Sequence, residues 1–315
     1  MGRYRLGDII RMTRKSLSIT QEQLSDSICS VETLSRIENG CQNPTRDTYE
    51  LLMERMGRIR SRAYSMLSVS DLKVLEKMKQ FEDLAKLYDF KSADDILSEI
   101  KTKIDNSILD QQFIIRAENL INFYLHRIEP EKYLEGVERA IKFTIPQYGK
   151  ISLSNWPLSF SEAMLLISIS IANAEKKDYN KSILVLNEAY SALNQSYMDE
   201  QQRAILQVTI ATNLSKAYGI IQRHEKAIEI ANEGIVICKK YKLGNTLPNL
   251  LYNIAWNKEK LIDMGVLLPN CKDECLLYLK QAYYIALAMQ MSFMGQFIKE
   301  HIISSYDVNL TNIID

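Results

Sequence analysis

Residues able to carry out catalysis or hold a metal are few in this sequence, and they do not cluster. The three histidines, His126, His224 and His301, lie far apart. Cys271 and Cys275 have the spacing of one helix face, but no second pair of cysteines or histidines accompanies them. The sequence contains no phosphate-binding loop, nucleophile elbow or paired-histidine motif. It therefore predicts no catalytic site, no metal and no cofactor, and it favours a binding protein over an enzyme.

Charge is unevenly distributed along the chain. The 315 residues include 39 Lys and Arg against 39 Asp and Glu, yet residues 1–62 hold 11 basic against 8 acidic side chains. A basic excess at one end suits a polyanionic partner there. The odd number of cysteines, five, argues against a disulfide framework. Because the sequence shows neither a signal-peptide pattern nor an apolar run of roughly 18 residues, we expect a cytoplasmic protein with no membrane contact.

Apolar residues recur with the period of an α-helix almost everywhere, and glycine (11) and proline (6) are scarce, so we expect an all-α fold. Near the N-terminus, four short helices are predicted over residues 6–15, 20–28, 31–38 and 45–56. Thr20 with Gln23 has the pattern of a capping box, Ser30 and Thr45 are N-cap candidates, and Gly40 suits a left-handed C-cap. Two short helices joined by a very short turn are the core of a helix-turn-helix, whose second helix lies in the major groove of DNA.

Three stretches carry a resemblance to a known family. Residues 20–24 (TQEQL), 34–40 (LSRIENG) and 43–44 (NP) resemble the Cro/repressor, or XRE-type, helix-turn-helix over residues 6–57. The turn formed by Ile28, Cys29 and Ser30 is one residue shorter than the usual Gly-Val-Ser turn of that family. In this shorter form it is similar to the XRE-type regulators that sense peptides.

The resemblance implies DNA-binding roles for individual residues. Phosphates would be held by residues at helix ends, namely Gln21, Ser30, Asn39 and Arg46. Base edges would face the third helix, at positions Val31, Glu32, Thr33 and Arg36. Arg36 suits guanine, Glu32 can accept from the amino group of cytosine, and Val31 can pack on a thymine methyl. As an alternative, Glu32 or Thr33 does not touch a base in a given complex. Arg14 and Glu38 occupy positions that form an internal ion pair in the family.

A basic, serine-rich linker over residues 57–70 separates two predicted domains, 1–65 and 66–315. Beyond it the apolar pattern predicts eleven helices that pair with one another. Their spans are 71–88, 92–105, 110–127, 130–145, 160–176, 179–195, 199–221, 224–241, 246–262, 271–289 and 292–305.

Part of this helical region resembles tetratricopeptide repeats. The clearest unit consists of Leu214, Ser215 and Tyr218 followed by Ala227, Ala231 and Gly234. The resemblance covers about residues 160–290 and is faint over 71–150. It implies a right-handed superhelix of tetratricopeptide-like helix pairs, with a concave groove suited to an extended peptide.

Two asparagines, Asn213 and Asn253, stand 40 residues apart, each before a Leu or Ile and a small residue. In peptide-binding repeats of this kind the asparagine points into the groove, where its amide can both donate to and accept from a peptide backbone. Lys216 would face a carboxylate from the same side, and Trp256 would cover a ligand side chain. Asn173 has the same offset but a different register. The alternative is that all five are polar residues on solvated helix faces.

Taken together, the chain is similar to the Rgg/PlcR/PrgX (RNPP) group of peptide-pheromone receptors of Gram-positive bacteria. That similarity implies a homodimeric transcription regulator that binds double-stranded DNA and is controlled by a short signalling peptide, as in quorum sensing. A second hypothesis is that the repeats bind another protein and the helix-turn-helix only localises it. A third, an enzyme regulator like the phosphatase-type relatives, is less favoured because those generally lack such an N-terminal domain.

Overall fold

The computed structural model describes residues 5–58, 69–104 and 107–308, and the predicted boundary near residue 65 lies outside them. These residues form fifteen α-helices and no β-strand, which confirms the all-α prediction. They divide into two compact units. The first comprises the residues up to Lys176 together with Asn187–Gln202, and the second comprises Lys177–Leu186 and the residues from Arg203 on.

The N-terminal part of the first unit is a bundle of four short helices, α1 (Leu6–Ser16), α2 (Gln21–Ser25), α3 (Val31–Glu38) and α4 (Arg46–Arg55). Their apolar faces meet in one core, whose fully buried members include Ile10, Leu24, Leu34, Ile37, Tyr49, Leu52 and Met56. The predicted N-caps are confirmed, since the side chains of Thr20, Ser30 and Thr45 each accept a hydrogen bond from the backbone three residues on. Gly40 has φ +74°, as expected of a left-handed helix end.

The prediction that the second helix continues to Ile28 is wrong. Helix α2 ends at Ser25, and Ser27 takes a left-handed conformation with φ 59°. Leu24 and Ile28 have the i, i+4 spacing of a helix, which explains the error. In the structure the chain instead turns over residues 26–30 and packs Ile28 and Cys29 against the core from outside a helix.

The remainder of the first unit contains α5 (Val69–Lys86), α6 (Phe90–Lys101), α7 (Ile108–Tyr124), α8 (Pro130–Ile141) and α9 (Phe160–Glu175). Helices next to one another in sequence pack together, α5 with α6, α7 with α8 and α8 with α9. Small and large apolar residues fill one core, including Phe81, Ala93, Leu97, Ala117 and Ile121. Two predicted helices are too long, because α6 ends at Lys101 and α8 at Ile141.

Helices α10 (Tyr179–Leu193) and α11 (Glu200–Ile220) each contribute residues to both units. The second unit continues with α12 (His224–Tyr241), α13 (Leu247–Asp263), a short 3₁₀ helix (Pro269–Cys271), α14 (Lys272–Ala288) and α15 (Ser292–Tyr306). Ala231, Ala255 and Ala282 are fully buried in its core. A Cβ at Gly234 would lie 3.0 Å from Leu250, so the recurring small residues reflect close helix packing. Among the described residues, no helix is both long and apolar enough to cross a bilayer.

Candidate functional site

Helix α3 presents a face to solvent that could read DNA. Leu34 and Ile37 point into the core, whereas Val31, Glu32 and Arg36 are exposed. None of these three exposed side chains belongs to the apolar core of the domain. Val31, for example, is 40% exposed. The arrangement provides an apolar contact, an acceptor and a planar donor along one helix, which are the groups that distinguish base pairs in the major groove.

Arg14 of α1 and Glu38 of α3 form the ion pair expected from the sequence, and this prediction is confirmed. Arg14 Nε and Nη2 donate to the two Glu38 carboxylate oxygens over 2.6 and 2.7 Å. Arg14 Nη1 also donates to the carbonyl oxygen of Ile19 at 2.7 Å, and Gln21 Nε2 donates to Glu38 Oε2 at 2.9 Å. The ion pair and Gln21 therefore join α1, the start of α2 and the end of α3.

The protonation behaviour of this pair follows from its geometry. Burial of Glu38, which is only 2% exposed, opposes ionisation, but hydrogen bonds from Arg14 and Gln21 outweigh it and lower the pKa of the carboxyl. The hydrogen bond to Glu38 in turn raises the pKa of Arg14. Both groups are charged at neutral pH, and each satisfies the other in a setting where an unpaired charge would be costly.

The residues predicted to hold phosphates all take part in hydrogen bonds within the domain. Gln21 bonds to Glu38, as above. Ser30 Oγ accepts from the backbone N–H of Thr33 at 3.1 Å and lies 2.8 Å from Thr33 Oγ1. Asn39 Nδ2 reaches Ser35 Oγ at 3.5 Å, and Arg46 Nε donates to Glu50 Oε1 at 2.8 Å. Thr33, predicted to face a base, is half-buried and bonded to the N-cap, so the structure gives it a structural task as well.

Sequence reasoning missed a basic depression beside the exposed face of α3. A cavity of about 530 Å³ lies between α1, α2 and α3. Its lining includes three basic residues, Arg11, Arg14 and Lys15, and two acidic ones, Glu22 and Glu38. Glu38 neutralises Arg14, while Arg11 and Lys15 are exposed. The signal was available in the sequence, because Arg11 and Lys15 have the i, i+4 spacing that places two cations on one helix face.

In the second unit, Asn213 and Lys216 lie one turn apart on α11. Asn213 is half-buried, and its Nδ2 donates to the carbonyl oxygen of Thr209 in the same helix at 2.9 Å. Lys216 is exposed. The Asn213 amide thus uses one of its donors on its own helix.

Asn253 and Trp256 occupy the corresponding positions on α13. Asn253 Nδ2 donates to the carbonyl oxygen of Thr212 on α11 at 3.1 Å, so this amide joins the two helices. Trp256 is half-buried and meets the ring of His224 edge-on, with centroids 5.9 Å apart. Lys260 lies 6.0 Å from its indole ring. The structure therefore brings Asn213, Asn253 and Thr212 to one junction of α11 with α13.

Asn173 differs from the other asparagines. It belongs to α9 in the first unit, it is buried, and its Nδ2 donates to the carbonyl oxygen of Ile169 at 2.8 Å. A buried amide that is bonded to its own helix has little to offer a ligand. We therefore leave Asn173 out of the peptide site proposed below.

The sequence also gave no indication of a polar network between α13 and α15. His301 Nδ1 lies 3.0 Å from the Tyr252 hydroxyl, and His301 Nε2 lies 3.0 Å from Glu259 Oε2. Tyr306 donates its hydroxyl proton to Glu259 Oε1 at 2.5 Å. Burial, together with the Glu259 charge, raises the pKa of Tyr252 to about 12. His301, read as a scattered histidine in the sequence, thus joins the last helix of the unit to α13.

The chain matches a known family at its N-terminus. Residues 10–59 match the family model HTH_3, described as Helix-turn-helix, which agrees with the XRE-type resemblance and with the four-helix bundle. Compared with curated proteins by sequence, the chain gives no match.

Solved structures share the fold over nearly the whole chain. PlcR from Bacillus thuringiensis in complex with the peptide PapR7 and DNA is similar with a TM-score of 0.63 at 18% identity, covering 94% of this chain and 99% of PlcR. ComR from S. thermophilus, in complex with DNA and its signalling peptide ComS, is similar with a TM-score of 0.57 at 16% identity, covering 95% and 99%. PlcR in its apo form gives 0.56 at 18% identity over 94% and 98%. The architecture of a helix-turn-helix followed by a helical repeat domain is therefore shared with both proteins.

Proposed function

We propose that this protein is a cytoplasmic transcription regulator, without enzymatic activity, that binds double-stranded DNA through α3 and responds to a short signalling peptide bound by its repeats. One observation carries the proposal. An exposed reading face, held from beneath by the Arg14–Glu38 pair, belongs to a chain that shares the fold of PlcR and ComR over nearly its whole length. Those two proteins were crystallised with both DNA and a peptide.

DNA recognition follows from the chemistry of the α3 face. Arg36 donates to guanine O6 and N7, Glu32 accepts from the cytosine amino group, and Val31 packs on a thymine methyl. The basic depression with Arg11 and Lys15 lies beside this face and attracts the phosphate backbone. Since one such helix reads only a few base pairs, we propose that two copies bind a repeated site as a homodimer.

Selection from a random double-stranded DNA library tests this function. The wild-type protein is expected to enrich one motif. Arg36→Ala should weaken binding to that motif by about 10- to 100-fold, because a good bidentate contact contributes about 1–3 kcal/mol of discrimination, and it should relax one base position. Arg139→Ala, which removes an exposed arginine of α8, serves as the control and should bind as the wild type does. If Arg36→Ala enriches the same motif with equal affinity, Arg36 does not read a base.

The junction of α11 with α13 is the proposed peptide site. Asn213 and Asn253 each keep an amide oxygen that can accept from a peptide N–H, and the exposed Lys216 provides a positive charge for a carboxylate. The indole ring of Trp256 lies on the same helix as Asn253 and would contact a side chain of the peptide. For the peptide to act as a signal, it must bind one conformation of the protein more tightly than another.

Capture from a pool of short synthetic peptides, followed by calorimetry on the enriched peptide, tests this site. Asn213→Ala and Lys216→Ala should each weaken peptide binding about tenfold, in line with the loss of one hydrogen bond to a charged group or a peptide. Lys272→Ala, at the exposed start of α14, is the matched control. Unchanged affinity in both variants would place the site elsewhere.

Large apolar side chains are exposed in the second unit, where the proposed homodimer, or a different protein partner, could cover them. Leu268, before the 3₁₀ helix, is 69% exposed, and Phe293 of α15 is 58% exposed. Sedimentation should give a dimer of the purified chain. A strict monomer that still binds DNA would contradict the homodimer, and stable capture of a different protein without any peptide effect would favour the second hypothesis.

A further inference from the structure

Helix α4 carries a row of acidic side chains that bind the first unit's repeat helices at their N-termini. Asp47 Oδ1 accepts a hydrogen bond from the backbone N–H of Ile108, the first residue of α7, at 3.1 Å. Glu54 Oε1 accepts from the backbone N–H of Ser161, near the start of α9, at 3.2 Å. The first N–H groups of a helix have no partner within the helix and carry partial positive charge, so carboxylates are well suited to this position.

Glu50 lies between these two residues on the same face of α4 and makes a third contact. Its Oε2 accepts from the hydroxyl of Ser107 at 3.2 Å, and its Oε1 accepts from Arg46 at 2.8 Å. Ser107 is the N-cap of α7, and its Oγ accepts from the backbone N–H of Asp110. Glu50 and Ser107 are both buried. The carboxylate therefore binds the residue that starts α7, in a place where an unpaired charge would be costly.

Arg55, the last residue of α4, connects the DNA-reading part to a different point of the repeats. Its guanidinium donates to the backbone carbonyl oxygen of Asp26, in the turn between α2 and α3. The same group lies 5.5 Å from the ring centroid of Trp156, in the segment between α8 and α9. Arg55 is buried. Through Arg55, the α2–α3 turn is therefore held near Trp156 of the repeat region.

Gly57, just beyond α4, allows a close approach of two backbone segments. It has φ +70°, and a Cβ there would overlap the backbone of Met198 and lie 2.6 Å from the carbonyl oxygen of Tyr197. Tyr197 also packs against the core of the helix-turn-helix. All of these residues belong to the first compact unit. The helix-turn-helix is therefore held at α7, at Trp156, at α9 and at residues 197–198.

These contacts leave the reading face of α3 uncovered, since Val31, Glu32 and Arg36 are exposed in the same structure. We propose that Asp47, Glu50, Glu54, Arg55 and Gly57, here called the α4 clamp, are positioning residues. They fix the direction in which α3 projects from the repeats, and they thereby restrict the half-site spacing that a dimer accepts. The spacing role rests on the proposed function. Without the clamp, the direction of α3 would be less restricted, and α3 could meet half-sites at several separations.

The test uses the full chain with Asp47→Ala and Glu54→Ala combined. Hydrogen exchange at the Ile108 and Ser161 amides should become at least tenfold faster, because these N–H groups lose their acceptors. Exchange in the helix-turn-helix core, at Leu34 and Ile37, should not change. The control combines Asp95→Ala with Glu135→Ala, which removes the same charge from exposed positions of α6 and α8. If core exchange rises too, Trp156→Leu replaces the double variant, since it removes a clamp contact from outside the helix-turn-helix.

The second readout is selection from a random double-stranded DNA library. The wild type and the control should recover paired half-sites at one spacing, and the clamp variant should recover the same half-sites at several spacings. Unchanged exchange at Ile108 and Ser161 would overturn the clamp itself. Faster exchange with an unchanged single spacing would overturn its role in spacing. If the wild type enriches no DNA, the proposed function fails and the spacing role fails with it, whereas faster exchange alone would still establish the clamp contacts.

Discussion

The helix-turn-helix and the second compact unit use different contacts to hold their helices together. In the helix-turn-helix, a buried ion pair between Arg14 and Glu38 joins α1 to α3. In the second unit, a buried polar contact joins His224 to the amide of Asn257, an uncharged partner, with His224 Nδ1 lying 2.8 Å from Asn257 Oδ1. A buried charge that loses its partner is far more destabilising than a neutral group that does. The small domain therefore depends more heavily on a single pair.

Glycines show the same contrast at the level of the backbone. A Cβ at Gly7 would overlap the carbonyl oxygen of Ile37, so α1 and α3 approach to within backbone contact. In the second unit the nearest atom to a Cβ at Gly295 is Leu287 Cδ2, at 3.6 Å, and even at Gly219 the obstacles are the side chains of Asn257 and Trp256. Side chains can move aside, whereas a helix backbone cannot. The four short helices of the helix-turn-helix thus rely on a few close backbone contacts, whereas the longer helices of the second unit meet through their side chains.

The largest effect is expected from Arg14→Ala. Removing the guanidinium leaves Glu38 buried and charged, which should cost about 3–5 kcal/mol of unfolding free energy. Lys86→Ala is the matched control, because Lys86 and Asp83 form an ion pair in which both side chains are 55% exposed, and its loss should cost less than about 1 kcal/mol. Urea unfolding measures both values. Equal effects would remove the contrast between the buried and the exposed pair.

The same pair predicts a pH dependence. The pKa of Glu38 is lowered in the folded state, so its contribution to stability is fully present above its unfolded pKa of about 4.3. That contribution is lost as the pH falls through the lower folded value. In the variant Glu38→Gln, this pH-dependent contribution to stability should be absent. Urea unfolding between neutral and acidic pH should therefore show a smaller acid-induced loss for the variant, and parallel curves would contradict this assignment.

Gly7→Ala should have the next largest effect, a loss of about 3 kcal/mol of unfolding free energy. This is the upper end of overpacking effects, because the added Cβ meets the backbone of Ile37 and not a movable side chain. Gly295→Ala introduces the same methyl into α15 and should instead be neutral or stabilising by up to about 1 kcal/mol, since alanine favours helix and meets only ordinary contacts. Thermal unfolding of the two variants distinguishes the units directly. A destabilised Gly295→Ala or an unaffected Gly7→Ala would show that the closeness of backbones is not the deciding factor.

The smallest effect is expected from Ser27→Gly in the α2–α3 turn. Serine at φ 59° is strained and glycine is not, so the change should stabilise the domain by about 1 kcal/mol. Ser98→Gly, at an exposed position in the middle of α6, should destabilise by about 0.5 kcal/mol, because it adds backbone freedom and removes the exposed hydrogen bond from Ser98 Oγ to the Asp94 carbonyl oxygen. The opposite signs can be read from urea midpoints. Destabilisation by Ser27→Gly would mean that the left-handed turn is not a source of strain.

Local patterns in the sequence were sufficient for most of the helix-turn-helix. Thr20, Ser30 and Thr45 were recognisable as N-caps because the hydrogen bond that each makes is only three residues away. The end of α2 was missed, since Leu24 and Ile28 keep helical spacing across a turn. The two cations of the basic depression, Arg11 and Lys15, were visible as a pair on one face of α1, but their position beside α3 was not.

Contacts distant in sequence could not be predicted in this way. Asp47 and Ile108 are 61 residues apart, and Glu54 and Ser161 are 107 apart. The acidic row on α4 has regular i, i+3, i+7 spacing, which by itself is equally typical of a solvated helix face. Only the packed structure places helix N-termini opposite it. The asparagines of the repeats behave similarly, because their spacing was evident while the acceptor of Asn253, the Thr212 carbonyl of a neighbouring helix, was not.

The positions of the short N-terminal helices and their caps therefore follow from the order of residues alone, because the forces that establish them act over three or four residues. The motif also implied the Arg14–Glu38 pair through family resemblance. Three features depend on tertiary packing: which face of α4 meets the repeats, which amides remain available at the α11–α13 junction, and how α3 is held while Val31, Glu32 and Arg36 stay exposed. These features arise where helices far apart in sequence meet. The contacts there depend on the shapes of the packed helices and on unsatisfied backbone groups, and neither can be read from a local sequence pattern.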